Sequence, residues 1–286
     1  MPLRVLTWNL FHGRDFPPDP RLLTWRSRLL RITERNATHL QVNRDLHEEF
    51  ASLLAAALWD VALLQECPPR WSARLAAACR AEPHRVLTAR NSLAPLRSAI
   101  ARLNPDLIAS NEGGSNLTLV RPAAGTITAR DELELGRGPG HERRTMALTR
   151  FRQPGAATET CVANLHASAG AARRAIAEQQ VLAAAEHAIA WAAEDPLVFG
   201  GDLNLRPRQT DVFARLRDRF GLAPATAPDA LDHLLARGLE LVEPPRQWPP
   251  ERREIAEGGR AIRLSDHAPV QATFEVANLT SSSAAE

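Results

Sequence analysis

The feature that most constrains the fold is an alternation of short apolar runs with longer Ala/Leu/Arg-rich segments of helical periodicity. The apolar runs have strand length and strand-forming residues; they are Leu3–Trp8, Val61–Gln65, Cys161–Leu165, Leu197–Gly200 and Val270–Val276. The helical segments are Glu48–Leu58, Trp71–Arg80, Ala171–Ala193 and Asp211–Phe220. This alternation predicts an α/β protein with helices covering buried sheets, and taken alone it favours parallel strands.

The domain organisation follows from length and from the absence of linkers. A chain of 286 residues is near the upper end of what one hydrophobic core organises, and we find no internal repeat. We predict a single domain over residues 1–277, with a possible inserted segment at 12–45 and a flexible polar tail at 278–286. The Pro/Arg-rich stretch Glu243–Arg253 is predicted to be a surface loop.

Two residue types are missing, and their absence limits the chemistry. The chain has no Tyr and no Lys, so all 35 basic residues are Arg. Mechanisms that need a tyrosyl hydroxyl or a lysyl amine are therefore excluded, and any phosphate contact must come from guanidinium groups, which suit bidentate binding. The net charge of +2 does not by itself indicate a nucleic-acid-binding protein.

Cysteine usage and hydropathy indicate the compartment. Cys67, Cys79 and Cys161 are odd in number and lack metal-type spacing, which is typical of reduced, buried thiols in a cytosolic protein. No run of eighteen apolar residues is present, and the N-terminus enters a predicted strand at once. We therefore expect a cytoplasmic monomer and no membrane association.

Polar residues lie at or beside the ends of apolar runs at five places along the chain. They occur in Trp8-Asn9, Gln65-Glu66, Asn164-Leu165-His166, Asp202-Leu203-Asn204 and Asp266-His267. Each is a weak signal alone, because a lone His or a Glu after a strand is usually structural or solvated. Strand ends converge on one crevice in α/β sheets, so the ordered set predicts a shared site.

The residue types fit metal-assisted attack of water on a phosphate ester. Glu66 and Asp266 offer the hard oxygen ligands that suit Mg²⁺, with Mn²⁺ as an alternative. Asp202 and Asn204 lie two apart on a segment we expect to be extended, so they would point the same way, toward one water and one phosphate oxygen.

A histidine completes the predicted phosphate chemistry. His267 is suited to donate to a non-bridging phosphate oxygen in the transition state. Such a His needs a carboxylate partner that fixes its tautomer and favours the imidazolium, and Asp232 is the available candidate.

These motifs resemble a known superfamily. The sequence Gly201-Asp202-Leu203-Asn204 followed by Ser265-Asp266-His267-Ala268-Pro269-Val270 is similar to that of endonuclease/exonuclease/phosphatase proteins, and the resemblance runs from Asn9 to His267. It is closer to the DNase and sphingomyelinase branches than to exonuclease III. The resemblance implies a four-layer α/β/β/α sandwich, with two mainly antiparallel sheets packed together and helices outside, in place of a parallel sheet.

The resemblance also implies roles by position. Glu66 and Asp266 match the family's metal-binding acids, and Asn9 matches the Asn that ends the first strand. Asp202 and Asn204 match the pair that orients the attacking water and contacts the phosphate.

Five further positions have counterparts around the phosphate. His267 matches the phosphate-binding His, and Asp232 matches its acidic partner. His166 matches a His proposed to act on the leaving-group oxygen in the DNase, sphingomyelinase and deadenylase branches. Asn116 and Arg144 match polar and basic contacts to the phosphate, with the register of Arg144 set to within one residue.

The sequence also departs from the family pattern. Exonuclease III-like enzymes have an acid two residues after the first Asn, where this chain has Phe11, and they use a Tyr that this chain lacks. Asn9 and Glu66 are 57 positions apart, which leaves room for the Arg-rich segment 12–45. That segment is either a substrate-facing wall or lid, or a peripheral helix with a solvated face.

Three functions remain open from the sequence. The first is a Mg²⁺-dependent phosphodiesterase with nucleic acid as substrate. The second is a phosphatase or phospholipase C-type enzyme acting on inositol or sphingolipid phosphates, for which Trp248 is a candidate membrane-facing side chain. The third is a non-catalytic binding relative, which ranks last because none of the core acids is lost.

Overall fold

The computed structural model describes residues 2–88, 93–107, 114–137, 143–156 and 158–276. The strands are β1 (Leu3–Asn9), β2 (Glu34–Arg35), β3 (Leu40–Gln41), β4 (Val61–Cys67), β5 (Glu82–Leu87), β6 (Ser115–Val120), β7 (Thr126–Arg137), β8 (Arg143–Arg152), β9 (Thr160–His166), β10 (Leu197–Asp202), β11 (Asp232–Arg237), β12 (Leu239–Gln247), β13 (Glu254–Glu257), β14 (Arg260–Arg263) and β15 (Val270–Val276). The α-helices are α1 (Trp25–Leu30), α2 (His47–Ala56), α3 (Ser72–Cys79), α4 (Ala94–Leu103), α5 (Arg174–Ala192) and α6 (Val212–Phe220). Every strand and helix predicted from the alternation is present.

Two large sheets organise these elements. Strand order is β12-β15-β1-β4-β6-β5 in the first sheet and β11-β10-β9-β8-β7 in the second. Neighbouring strands are antiparallel except β1 with β4 and β9 with β10. The mainly antiparallel sandwich is thus confirmed, and the parallel sheet favoured by the alternation is wrong outside these two pairs. Each parallel pair is joined by a crossover that contains a helix, with α2 between β1 and β4 and α5 between β9 and β10. Helices also lie between antiparallel neighbours, with α4 between β5 and β6 and α6 between β10 and β11, so the alternation of strands and helices does not fix strand direction.

Three apolar layers hold the sandwich together. Val5 and Leu63 of the first sheet pack between the sheets with Val162 of the second. The alternate residues of the same strands face outward, so Trp8 packs against Phe50 of α2 with ring centroids 4.9 Å apart. A matching layer lies between the second sheet and helices α5 and α6. The period-two alternation of each central strand therefore serves two cores at once.

The stretch Glu243–Arg253 differs from its prediction as a loop. Its first five residues belong to β12, which pairs with β15 through an irregular register. Pro244 and Pro245 are compatible with this strand because β12 is at the edge of its sheet and needs no inward hydrogen bond there. The prolines of this stretch predicted a loop, because the local sequence does not show that the segment lies at the edge of a sheet, where proline is tolerated.

Trp248 follows β12 and does not face solvent. It is 5% exposed, its indole N–H donates to Gln271 Oε1 at 3.1 Å, and the guanidinium of Arg252 covers its ring at 4.0 Å. The hypothesis that Trp248 is a membrane-facing side chain is therefore wrong. No helix among the described residues is long and apolar enough to span a bilayer.

Cys67, Cys79 and Cys161 are buried and form no disulfide, as predicted. The tail predicted at residues 278–286 lies outside the described residues.

The segment 12–45 is held to the domain by buried polar groups. Gln41 Nε2 donates to Asp106 Oδ2 at 3.0 Å, and Asn43 Nδ2 donates to Asn104 Oδ1 at 2.7 Å. Burial raises the pKa of Asp15 to about 7, and that carboxylate accepts from the Val42 N–H. Whether the segment contacts substrate stays a prediction.

His84 makes the stability of the sandwich sensitive to acid. It lies on β5, is 8% exposed, and its Nδ1 is 2.8 Å from Thr149 Oγ1 on β8 of the other sheet. Burial and the charge of Arg130 lower the pKa of His84 to about 4. Between about pH 6.5 and pH 4 the unfolded chain therefore takes up a proton that the folded protein does not, and stability falls as pH falls.

We predict that the substitution His84→Gln weakens the dependence of folding stability on pH. Urea unfolding at pH 6.5 and pH 5 should show a loss of stability in the wild type that exceeds the loss in the variant by about 1.5 kcal/mol. Parallel pH profiles for the two proteins would contradict a buried, neutral His84.

Candidate active site

The predicted site residues converge where the parallel strand pairs end. Asn9 ends β1 in the first sheet and Glu66 lies at the end of its parallel neighbour β4. In the second sheet, Asp202 is in register with His166 on one side and with Asp232 on the other. Residues in register on adjacent strands point to the same side of a sheet, so three predicted side chains form a row facing Asn9.

The carboxylate of Asp202 is fixed through both oxygens. Asn9 Nδ2 donates to Oδ2 at 2.9 Å from the other sheet, and the backbone N–H of Asn204 donates to Oδ1 at 3.1 Å. Asp202 is 1% exposed, so these hydrogen bonds replace the water that its charge would otherwise require. A fixed carboxylate of this kind can orient a water molecule.

The glycine before Asp202 is required by the close approach of β9. Gly201 has φ +131°, and a Cβ atom there would lie 1.9 Å from the backbone oxygen of Leu165. Only glycine allows β10 to lie this close to β9 and still carry Asp202 into the row.

The prediction that the extended segment continues through Asn204 is wrong. Strand β10 ends at Asp202, and Asn204 adopts φ +53°, a left-handed conformation that Asn tolerates better than most residues. Its Nδ2 donates to Ala167 O at 3.1 Å. Asn204 thus lies beside Asp202 through a turn rather than by strand alternation.

His267 and Asp232 form the ion pair predicted from the sequence. Nδ1 of His267 donates to Asp232 Oδ2 at 2.7 Å, and Nε2 is 3.8 Å from Asp202 Oδ2. Burial alone would lower the pKa of His267, but the charges of Asp232 and Asp202 outweigh it and raise that pKa well above its usual range. Burial raises the pKa of Asp232 to about 6. Near neutral pH the pair is therefore imidazolium and carboxylate, with a donor N–H at Nε2.

His166 is neutral and has a defined tautomer. Burial and the charge of Arg144 lower its pKa to about 4. Because a guanidinium only donates, the 3.3 Å contact from Arg144 Nη1 gives His166 Nδ1 the lone pair and Nε2 the proton. That N–H faces Asp202 Oδ2 at 3.5 Å and Glu66 Oε1 at 3.8 Å.

His12 is a site residue that sequence reasoning missed. Its Nε2 lies 3.2 Å from Glu66 Oε2, so each oxygen of Glu66 faces an imidazole. Burial would raise the pKa of Glu66, but the electrostatic attraction of His12 and of the charged His267 outweighs it and lowers that pKa. The sequence offers one signal for His12: it directly follows Phe11, which occupies the position of an acid in exonuclease III-like enzymes.

The side-chain amide of Asn116 donates hydrogen bonds to backbone oxygens of the second sheet. Its Nδ2 donates to Thr145 O at 2.8 Å and to Asn164 O at 3.3 Å, tying β6 to the second sheet. Behind it, Gln65 Nε2 donates to Asn164 Oδ1 at 2.8 Å. Gln65 and Asn164 belong to two of the polar clusters named from the sequence, but neither was given a role, although an amide inside an apolar strand is a signal for buried polar pairing.

Backbone strain concentrates at the same place. Of the nine non-glycine residues with positive φ in the described part of the chain, five are in or beside the site: Phe11, His12, Glu66, Asn204 and Ser265. Such conformations cost about 1–3 kcal/mol each and persist where surrounding contacts enforce them, typically at functional sites.

The carboxylates provide two donor sets for a cation. Asp202, Asp232 and His267 form a candidate metal-binding group, with donor atoms within 4.8 Å of one another. Glu66 and Asp266, the pair predicted from the sequence, are the more accessible acids. Partial desolvation raises the pKa of Asp266, and the negative charge of Glu66 adds to this rise. A hard divalent cation between two such carboxylates fits this donor chemistry.

Comparisons with known proteins agree with this geometry. Residues 6–267 match the sequence model of the endonuclease/exonuclease/phosphatase family. No curated protein matches the sequence significantly.

Solved structures share the fold at low sequence identity. The catalytic domain of human Nocturnin with bound sulfate is 14% identical, with a TM-score of 0.65 over 96% of this chain and 94% of that one. A mannosyl-6-phosphatase from Bacteroides thetaiotaomicron is 13% identical, with a TM-score of 0.62 over 95% and 99% of the two chains. A truncated TDP2 from Caenorhabditis elegans is 16% identical, with a TM-score of 0.58 over 96% and 97%. These likenesses establish the fold.

We predict that Asp232→Asn lowers the pKa of His267, because the variant removes the adjacent negative charge. An NMR pH titration of the imidazole resonances measures this. Asp229→Asn is the matched control, since Asp229 is exposed and paired with Arg208. An unchanged His267 titration in Asp232→Asn would show that the ion pair does not set its charge.

Proposed function

Because the chain belongs to the endonuclease/exonuclease/phosphatase family, we propose that it is a divalent-metal-dependent phosphodiesterase that hydrolyses nucleic acid. One observation carries the proposal: a buried row of His166, Asp202 and Asp232, with a charged His267 beside it, faces the accessible acids Glu66 and Asp266. This arrangement combines a group that orients water with a cationic donor for a phosphate oxygen.

In the proposed reaction, Asp202 orients the attacking water. Its carboxylate is held by Asn9 and by the Asn204 backbone, so it loses little freedom when the water binds. The Nε2–H of His267 donates to a non-bridging phosphate oxygen, where negative charge grows in the transition state. Asp232 keeps His267 protonated and aligned for this contact.

The remaining groups act around the phosphate. With its proton on Nε2, neutral His166 is suited to hydrogen-bond the departing oxygen, while Arg144 holds its ring. Glu66 and Asp266 would hold Mg²⁺ or Mn²⁺, which when bound supplies a Lewis acid for the phosphate oxygens and lowers the pKa of coordinated water.

A phosphomonoesterase is the second candidate. It is favoured by the fold shared with the mannosyl-6-phosphatase from Bacteroides thetaiotaomicron. The lipid alternative has lost its candidate membrane contact, because Trp248 is buried. A non-catalytic role is disfavoured, because all the predicted acids and His267 are brought together. Cytoplasmic location and a monomeric state stay predictions.

We predict that Asp202→Ala and His267→Ala each reduce metal-dependent hydrolysis by about 10²-fold to 10⁴-fold, because each removes a group that acts on the transition state. The assay compares single-stranded oligonucleotide and bis(p-nitrophenyl) phosphate with p-nitrophenyl phosphate, with Mg²⁺ or with EDTA. Asp218→Ala, an exposed acid paired with Arg217, is the control.

Three outcomes of this assay would count against the proposal. Full diester hydrolysis in both variants would reject the assignment of the site. Undiminished activity in EDTA would reject the metal requirement. Efficient cleavage of the monoester with none of the diesters would favour the phosphatase.

A further inference from the structure

A cavity adjoins the proposed site. It has a volume of about 450 Å³ and lies between the turn that follows β10 and the start of α5. Asn204 forms part of its wall, so the cavity continues directly from the residue that positions Asp202. Leu205 in the same wall is held in place, since its carbonyl accepts from the buried His233 Nε2 at 3.0 Å.

The lining of this cavity is basic and has no acid. Arg174 and Arg206 contribute guanidinium groups, Asn204 and Gln209 contribute amides, and none of the eight lining residues is Asp or Glu. Concave sites with this composition attract anions, because low-dielectric walls focus the field of the cationic groups.

The two arginines lack the ion pairs that their neighbours form. Within the described ranges, Arg174 donates only to the backbone oxygen of Gln209, at 3.3 Å, and neither Arg174 nor Arg206 pairs with a carboxylate. By contrast, Arg208 pairs with Asp229 and Arg219 pairs with Glu186. Two guanidiniums that line one cavity and have no carboxylate partner within the described ranges are available to a phosphate.

We propose that Arg174 and Arg206 bind a second phosphate of the substrate, next along the chain from the one being hydrolysed. The inference rests on the proposed function and narrows it: the enzyme selects substrates with at least two phosphates in a row, as in an oligonucleotide. Asn204 lines the cavity and its backbone N–H holds Asp202, so this residue connects the cavity to the proposed catalytic site.

The first test is selectivity between substrates. The double variant Arg174→Ala/Arg206→Ala should lower the ratio of kcat/KM for a single-stranded oligonucleotide to kcat/KM for bis(p-nitrophenyl) phosphate at least tenfold, through KM for the oligonucleotide. Bis(p-nitrophenyl) phosphate has one phosphate and cannot reach the second site. Arg208→Ala is the matched control and should leave the ratio within twofold of wild type. An unchanged ratio in the double variant, or an equal fall in Arg208→Ala, would overturn the inference.

The second test is independent of turnover. Binding of the oligonucleotide to Asp202→Asn protein, measured by fluorescence anisotropy over a range of salt concentrations, gives the number of phosphate contacts from the slope of log Kd against log salt. Loss of one single-strand phosphate contact should reduce that slope by about 0.7 when the arginines are replaced. An unchanged slope would contradict the second site. If wild-type protein hydrolyses no diester, the proposed function fails, and the slope still decides whether the cavity binds phosphate.

Discussion

The site depends on one hydrogen bond between the two sheets, from Asn9 Nδ2 to Asp202 Oδ2. Asn9 ends a central strand of the first sheet and Asp202 ends a central strand of the second, so sheet packing directly sets the position of the water-orienting carboxylate. The buried hydrogen bond from Gln65 to Asn164 also joins the two sheets, through the parallel neighbours of β1 and β10, and fixes the same alignment. An unpaired buried amide costs about 1–3 kcal/mol, which penalises any shift between the sheets.

The second constraint is a surplus of negative charge. Four carboxylates meet at the crevice, and His267 neutralises only part of their charge, although its pKa is raised by them. Neutral His166 adds no positive charge near neutral pH. A divalent cation and the guanidiniums of Arg174 and Arg206 provide the remaining attraction for phosphate in the proposed enzyme. In the proposed enzyme, the carboxylates of the crevice therefore bind the cation, and the guanidiniums of the adjoining cavity bind phosphate.

The sequence predicted the central strands, the outer helices and the residues of the row, because apolar periodicity and the polar groups after it are local signals. The alternation alone gave the wrong sheet type, since antiparallel pairs such as β1 with β15 join strands that lie far apart in the sequence. Asn204 was placed by strand alternation, but a turn positions it. His12 and the Gln65–Asn164 pair were missed because their partners lie far away in the sequence.

The central claim is that Glu66 and Asp266 hold the cation while Asp202, Asp232 and His267 act on water and phosphate. Anomalous diffraction from crystals grown with Mn²⁺ tests it most directly, because the ion is located without reference to activity. The account predicts one strong peak within coordination distance of a Glu66 oxygen and an Asp266 oxygen. A peak centred among Asp202, Asp232 and His267 instead, or no peak at saturating Mn²⁺, would contradict it.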